Sequence, residues 1–306
     1  MGKMGQAKTF YFPDTPPLPL PLGHRFPATK YSLLLERVRG ERVLGAAVLA
    51  ASPAIEAGQL ELAHAHEYVA AVLEGRLTRD EQRRIGLPWS ETLVARSLAT
   101  VGGALAAARQ ALASGISGQL SGGTHHARRR GGSGFCVFND LAVAALVLLE
   151  ERRVGRVAIL DLDVHQGDGT AEILAANPAV LTISIHGANN FPFDKVASDI
   201  DVALPDGTED AAYLAALEPV LASLAEFEPE LVLYLAGVDG LAGDRYGRLE
   251  LTHEGLMARD RRVLGLCRTR GWPVSIAIGG GYAEPIEASV EAYVNIFRCA
   301  REVFSL

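Results

Sequence analysis

The chain has 306 residues, enough for one large α/β domain or two smaller ones, and 49% hydrophobic with 21% charged residues fits a globular body with a sizeable core. A formal net charge of −7 argues against direct nucleic-acid binding, which leaves a basic footprint, but leaves a positively charged substrate open. Cys136, Cys267 and Cys299 lack CxxC spacing, so neither a zinc knuckle nor a disulfide framework is indicated; with no signal-peptide core and no apolar run of spanning length, a cytoplasmic, reduced setting is expected.

Pro13, Pro16, Pro17, Pro19, Pro21 and Pro27 predict extended loop through residues 1–30, with 1–22 as an N-terminal segment. Gly23-His24-Arg25-Phe26-Pro27 leads into Lys30-Tyr31 and an amphipathic stretch from Leu33 to Val38. Val43 to Leu49 reads as a short strand ending at a Ser52-Pro53 turn. His64, His66 and Tyr68 open a further helix. Two histidines at i, i+2 do not share a helical face, so they are expected to be structural, with pocket lining the alternative.

From Ser90 to Ser114 the pattern is helical, with Ser90 as N-cap and Val94, Leu98, Val101, Leu105 and Ala108 along one face. Gly102-Gly103 within it implies close packing or a kink. A Gly-rich segment then carries Thr124-His125-His126-Ala127 and Arg128-Arg129-Arg130, the latter read as a solvated loop, and a helix is expected from about Asn139 to Glu151. Beyond it, strands at 156–164, 180–185, 231–237 and 273–278 alternate with helices at 170–176, 210–225, 253–270 and 284–303. Such alternation predicts an α/β fold, a central parallel sheet flanked by helices on both faces. With no repeat, linker or long charge tract, residues 1–306 read as one domain.

The chain is organised around Val157-Ala158-Ile159-Leu160-Asp161-Leu162-Asp163-Val164-His165, followed by a Gly167-Asp168-Gly169 turn. In a strand, Asp161, Asp163 and His165 project to one side, while Leu162 and Val164 enter the opposite apolar layer. Buried acids beside an imidazole need pairing or a metal. Asp163 and His165 supply two ligands, and Asp239, just past the apolar run Leu231–Ala236, is placed to supply the third of a catalytic zinc site. The same donors suit iron(II) or cobalt. A second metal would want a carboxylate at position 241, which is Leu241, so one ion per chain is expected. His125-His126 offers two imidazoles, Asp161 and Asp168 are acids free to orient them, and Tyr282 follows Gly279-Gly280-Gly281, which let a phenol approach a ligand closely.

Taken together, Gly122–Ala127, Gly134-Phe135-Cys136 with Asn139-Asp140, Asp161–Gly169, Ser184-Ile185-His186, Gly237–Asp244 and Gly279–Tyr282 resemble the histone deacetylase family. The segments 23–31 and 86–90 look closest to its class IV branch and bacterial relatives. The resemblance implies the arginase/deacetylase fold and zinc-dependent hydrolysis of acylated lysine in a protein or peptide. It implies Asp163, His165 and Asp239 as metal ligands and His126 as main general base, with His125 as its electrostatic partner. Asp168 would orient His126, Asp161 would orient His125, and Tyr282 would stabilise the oxyanion. Phe135 would wall a channel for the lysine stem, Gly134 O would accept the scissile N–H, and Phe191 is the candidate for the opposite wall. A structural potassium ion near Asp161 and Ser184 is implied as well. Two other readings stand beside this one: an acetylpolyamine amidohydrolase of the same fold, which would want acids at the channel mouth and which the net charge of −7 leaves open although Ser121-Gly122-Gly123-Thr124 is not the Pro-rich segment associated with that branch, and a non-catalytic acyl-lysine reader, which would lack one of these residues. Acyl-chain length, biological target and oligomeric state are left open.

Overall fold

A computed structural model describes residues 7–306. In chain order the elements are β1 (Thr9–Phe12), α1 (Thr29–Gly40), β2 (Val48–Ala51), α2 (Ala57–Leu60), α3 (His66–Leu73), α4 (Arg79–Ile85), α5 (Glu91–Ser114) and β3 (Ile116–Gln119). The second half runs α6 (Asp140–Glu150), β4 (Val157–Asp161), α7 (Asp168–Leu174), β5 (Val180–Gly187), β6 (Ile200–Leu204), α8 (Asp210–Phe227), β7 (Leu231–Leu235), α9 (His253–Arg270), β8 (Val274–Ala277) and α10 (Glu287–Phe304). The eight strands form one sheet in the order β2-β1-β3-β8-β7-β4-β5-β6, parallel at every pairing. This is the expected α/β arrangement, a central parallel sheet with helices on both faces.

The alternation of the strands sorts their side chains between two apolar layers. Ala158 and Leu160 join one core with residues of α1, α8, α9 and α10. Val157 and Ile159 join the other with α3, α5 and α6. The β4 ladder ends at Asp161, so Asp163 and His165 lie beyond the strand rather than on it, a correction to the expected span. Leu162 and Val164 nevertheless continue into the first core, so the alternation outlasts the ladder and delivers the three polar side chains to one side.

Four local expectations fare differently. In the N-terminal stretch, residues 1–6 lie outside the described residues, and Thr9–Phe12 is a strand, not loop. Its Thr-Phe-Tyr-Phe composition is β-favouring, and Phe10 is fully buried. The strand expected at Val43–Leu49 begins only at Val48; Val43 and Leu44 are apolar because they anchor a turn against the core. Ser90 caps α5 as expected, accepting from the Leu93 N–H at 3.1 Å. Within that helix, a Cβ on Gly102 would lie 2.0 Å from Pro53 O, so the glycines serve close packing.

Candidate active site

Adjacent strands β3, β8, β7 and β4 release their carboxyl ends side by side, the place where open parallel sheets bind ligands. A cavity of about 990 Å³ opens there, lined by His125, His126, Asp163, His165 and Tyr282 together with Gly134, Phe135 and Phe191.

Asp163 and His165, which line the cavity, and fully buried Asp239 each present a ligand atom within 4.8 Å of the others. His165 Nδ1 lies 3.0 Å from Asp163 Oδ1 and 3.1 Å from Asp239 Oδ2. Backbone N–H groups aim the carboxylates: Gly280 donates to Asp163 Oδ2 at 2.6 Å and Val164 to Asp239 Oδ1 at 3.0 Å. Burial and the Asp163 charge push Asp239 up to about 7. Burial acts against ionising Asp163 too, yet His125 and His165 hold it well below the carboxylate range. For His165, burial works downward, but hydrogen bonds to both carboxylates win and raise it to about 10. Two buried carboxylates facing one imidazole suit a central cation that takes the place of the imidazole proton, and the O,N,O donor set fits a single divalent ion such as zinc or iron(II).

Each of the paired histidines has its own acid. His125 Nδ1 meets Asp161 Oδ2, and His126 Nδ1 meets Asp168 Oδ1, both at 2.7 Å, with the rings 4.1 Å apart. Burial disfavours charge on both. The Asp161 and Asp163 carboxylates overcome it at His125, raising it to about 9. At His126 burial and the neighbouring His125 charge leave it at about 4, neutral and able to accept a proton. Asp168 opens α7, and its Oδ2 also accepts from Arg128 Nε at 2.8 Å. The expected solvated loop is therefore wrong for Arg128, which is half-buried and clamped between Asp168 and Glu172.

Phe135 and Phe191 both line the cavity. Phe191 packs edge-on to His126 at 4.9 Å, whereas Phe135 lies 6.1 Å from Tyr282. Gly134 O accepts a weak bond from Cys136 Sγ at 3.4 Å, leaving a lone pair free. Burial pushes the Cys136 thiol well up, so it serves packing. Tyr282 is half-buried, its phenol pushed well up by burial and the Asp239 charge. Arg25, Arg83, Arg84, Arg245 and Arg248 ring the mouth, and Asp163 on the floor is the only acid among the lining residues. Ser184 sits beside Asp161 in the β4–β5 register, but His186 falls inside β5 and outside this cavity.

Several supports were not identified from sequence. Asp140 accepts from the backbone N–H of Gly123 and Thr124 and from the Thr124 hydroxyl, each at 2.9 Å, fixing the loop before the histidines. Asp244 accepts from Tyr282 N at 2.6 Å and from the N–H groups of Tyr246 and Gly247. Fully buried Lys30 donates to Gly281 O at 3.1 Å and lies 4.6 Å over the Tyr282 ring. Arg259 donates to Leu162 O and Gly237 O, tying together the chain ends that carry Asp163 and Asp239. His64, by contrast, is structural as expected from the sequence: its Nδ1 meets Arg128 O and its Nε2 accepts from Asn139 N, both at 2.9 Å.

Sheet order and site together define a protein of the arginase/deacetylase class. Residues 24–297 match the histone deacetylase domain, and the chain belongs to that family, whose general chemistry is deacetylase hydrolysis. A protein of Picosynechococcus sp. described as uncharacterized is 44% identical over 295 residues, 96% of this chain and 98% of that one. Histone deacetylase 2 of Arabidopsis thaliana is 35% identical over 60% of this chain and 48% of its own length; human histone deacetylase 1 is 34% identical over 53% and 35%. The chain thus matches half or less of those two proteins. The crystal structure of the HDA15 HD domain superposes with TM-score 0.77 at 25% identity, covering 95% of this chain and 88% of that one. Among the described residues, no helix is long and apolar enough to cross a membrane.

Proposed function

We propose that this chain hydrolyses the amide of acylated lysine side chains in proteins or peptides, using one divalent ion, zinc or iron(II), held by Asp163, His165 and Asp239. The observation that carries the reading is the cavity floor. There a cation-demanding O,N,O set lies beside two histidines, each bonded at 2.7 Å to its own carboxylate. When bound, the ion supplies Lewis acidity to a water and to the acyl oxygen.

The chain's own groups do the rest. With Nδ1–H donated to Asp168, His126 has Nε2 left to take the proton of the attacking water and deliver it to the leaving amine. His125, held by Asp161, keeps positive charge beside it. The Tyr282 hydroxyl donates to the developing oxyanion. Phe135 and Phe191 flank the lysine stem and exclude water, and Gly134 O accepts the amide N–H. A potassium ion beside Asp161 and Ser184 belongs to the same reading, as a structural element.

An acetylpolyamine would bring further ammonium groups to a mouth ringed by five arginines, which disfavours it. A non-catalytic reader would not need the complete set. The test is turnover of a lysine-peptide panel carrying short and long acyl groups, with acetylpolyamines alongside, before and after chelation. Peptide turnover that disappears with the metal and returns on adding it supports the reading; turnover indifferent to chelation, or confined to polyamines, overturns it.

A further inference from the structure

The arginines at the mouth are unequally partnered. Arg83 pairs with Asp80, Arg245 with Glu284 and Arg248 with Asp206. Arg25 and Arg84 enter no ion pair with another described residue. A second cavity of about 630 Å³ abuts the first and shares Arg84, Ser133, Phe191 and Phe193 with it. It adds Arg129 and Arg130, both exposed and likewise outside any ion pair among the described residues. Its acids are largely taken, since Asp168 and Glu172 bind Arg128; only Asp194 stands unpaired. Four guanidinium groups without an ion-pair partner among the described residues thus line these two abutting cavities, against one unpaired carboxylate, on a chain whose formal net charge is −7. Between the two cavities stands Phe193, 81% exposed and 6.2 Å from Phe191.

A patch that opposes the charge of the whole body concentrates ligands of the opposite sign where it lies. Here it lies at the door of the lysine channel. Guanidinium forks match carboxylates in geometry as well as charge. We propose that the rim of Arg25, Arg84, Arg129 and Arg130 selects acyl-lysines flanked by aspartate or glutamate, with Phe193 covering the backbone of the incoming peptide. The proposal rests on the acyl-lysine reading above. These contacts are remote from the scissile amide and equal in ground and transition states, so they act on KM and leave kcat alone.

The experiment compares three acetyl-lysine peptides, identical except that the residues flanking the lysine are glutamate, glutamine or lysine, on the zinc-loaded enzyme. Two engaged surface pairs predict a KM roughly fivefold lower for the glutamate peptide than for the glutamine one, with the lysine peptide poorest. The ranking should shrink in about 0.5 M salt, where screening is short-ranged. In the double variant Arg84→Gln/Arg130→Gln the glutamate-to-glutamine ratio should fall toward one; should that variant fail to fold, the salt series on the parent protein reads the same quantity. Equal KM for all three peptides, or a preference for lysine flanks, overturns the rim proposal and leaves the deacylase reading standing. Tight binding of a short oligonucleotide without any peptide ranking also overturns it, by assigning the rim to phosphate. No turnover of any peptide defeats the deacylase reading, and the rim proposal with it.

Discussion

Replacing Gly280 by alanine tests the metal centre through one added methyl. A Cβ at that position stands 1.8 Å from Asp239 Oδ2, 2.7 Å from its Cγ and 2.9 Å from Asp163 Oδ2. Ordinary contact begins at 3.4 Å, so the Asp239 oxygen must retreat by 3.4 − 1.8 = 1.6 Å. It has nowhere simple to go, since Asp239 is wholly buried and its Oδ1 is already bonded to Val164 N–H. A metal–ligand distance tolerates about 0.2 Å, so the ligand is lost rather than stretched. Disturbing a mere supporting group costs about 10- to 100-fold in metal affinity, and losing a ligand costs more. Gly280→Ala should therefore bind zinc at least about 100-fold more weakly, and activity at limiting metal should fall in step. Gly265→Ala is the control: a Cβ there meets nothing within 4 Å, and the change should stabilise α9 by about 0.5–1 kcal/mol. Competition against a fluorescent chelator, with thermal melts of both variants, reads the difference. A folded Gly280→Ala protein with zinc affinity within about threefold of the parent would refute Asp239 as a ligand.

Tyr282→Phe keeps the ring against Phe135 but removes the donor; metal content should hold while kcat falls ~10²- to 10³-fold. Unchanged kcat would remove the phenol from the chemistry. His64, depressed to about 4 by burial, is neutral in the fold, whereas the unfolded chain protonates it near 6.5. Its contribution is therefore complete above pH 6.5 and is lost as pH falls toward 4, by about 3 kcal/mol. Urea midpoints from pH 7.5 to 4 should fall more steeply for the parent than for His64→Gln, and parallel slopes would contradict this. Arg259→Met strips a buried charge from Asp260 and two carbonyls, which should cost about 3–5 kcal/mol in denaturant unfolding. A loss below about 1 kcal/mol would show that the tie between the strand ends carries little.

The residues that come together at the candidate site were legible because each sits in a short local pattern at a strand end: Asp163 with His165, His125 with His126, Tyr282 after three glycines. What tied them was harder to see. Arg259 and Asp260 fall on the same α9 stripe as Leu256, Val263, Leu264 and Cys267, so a charged pair interrupting an apolar face was the available signal. Asp140 and Asp244 act on backbone N–H groups, which no side-chain pattern advertises. Among the strands, β3 has only four residues, Ile-Ser-Gly-Gln, and too little hydrophobic periodicity to stand out from the glycine-rich segment that follows. β6 escaped for another reason: it is a half-exposed edge, paired on one side alone. Asp163 and His165 were placed on a strand that stops short of them, because alternating burial continues where backbone pairing has ended.

The position of β8 governs when the sheet can close. It lies between β3 and β7, yet it is made after both. A chain made only as far as Gly271 lacks the strand that joins β2-β1-β3 to β7-β4-β5-β6, and it lacks Tyr282 as well. β8 is the last strand to be made, so the sheet can close only after it is inserted, and the two open edges are what a chaperone would have to shield until then.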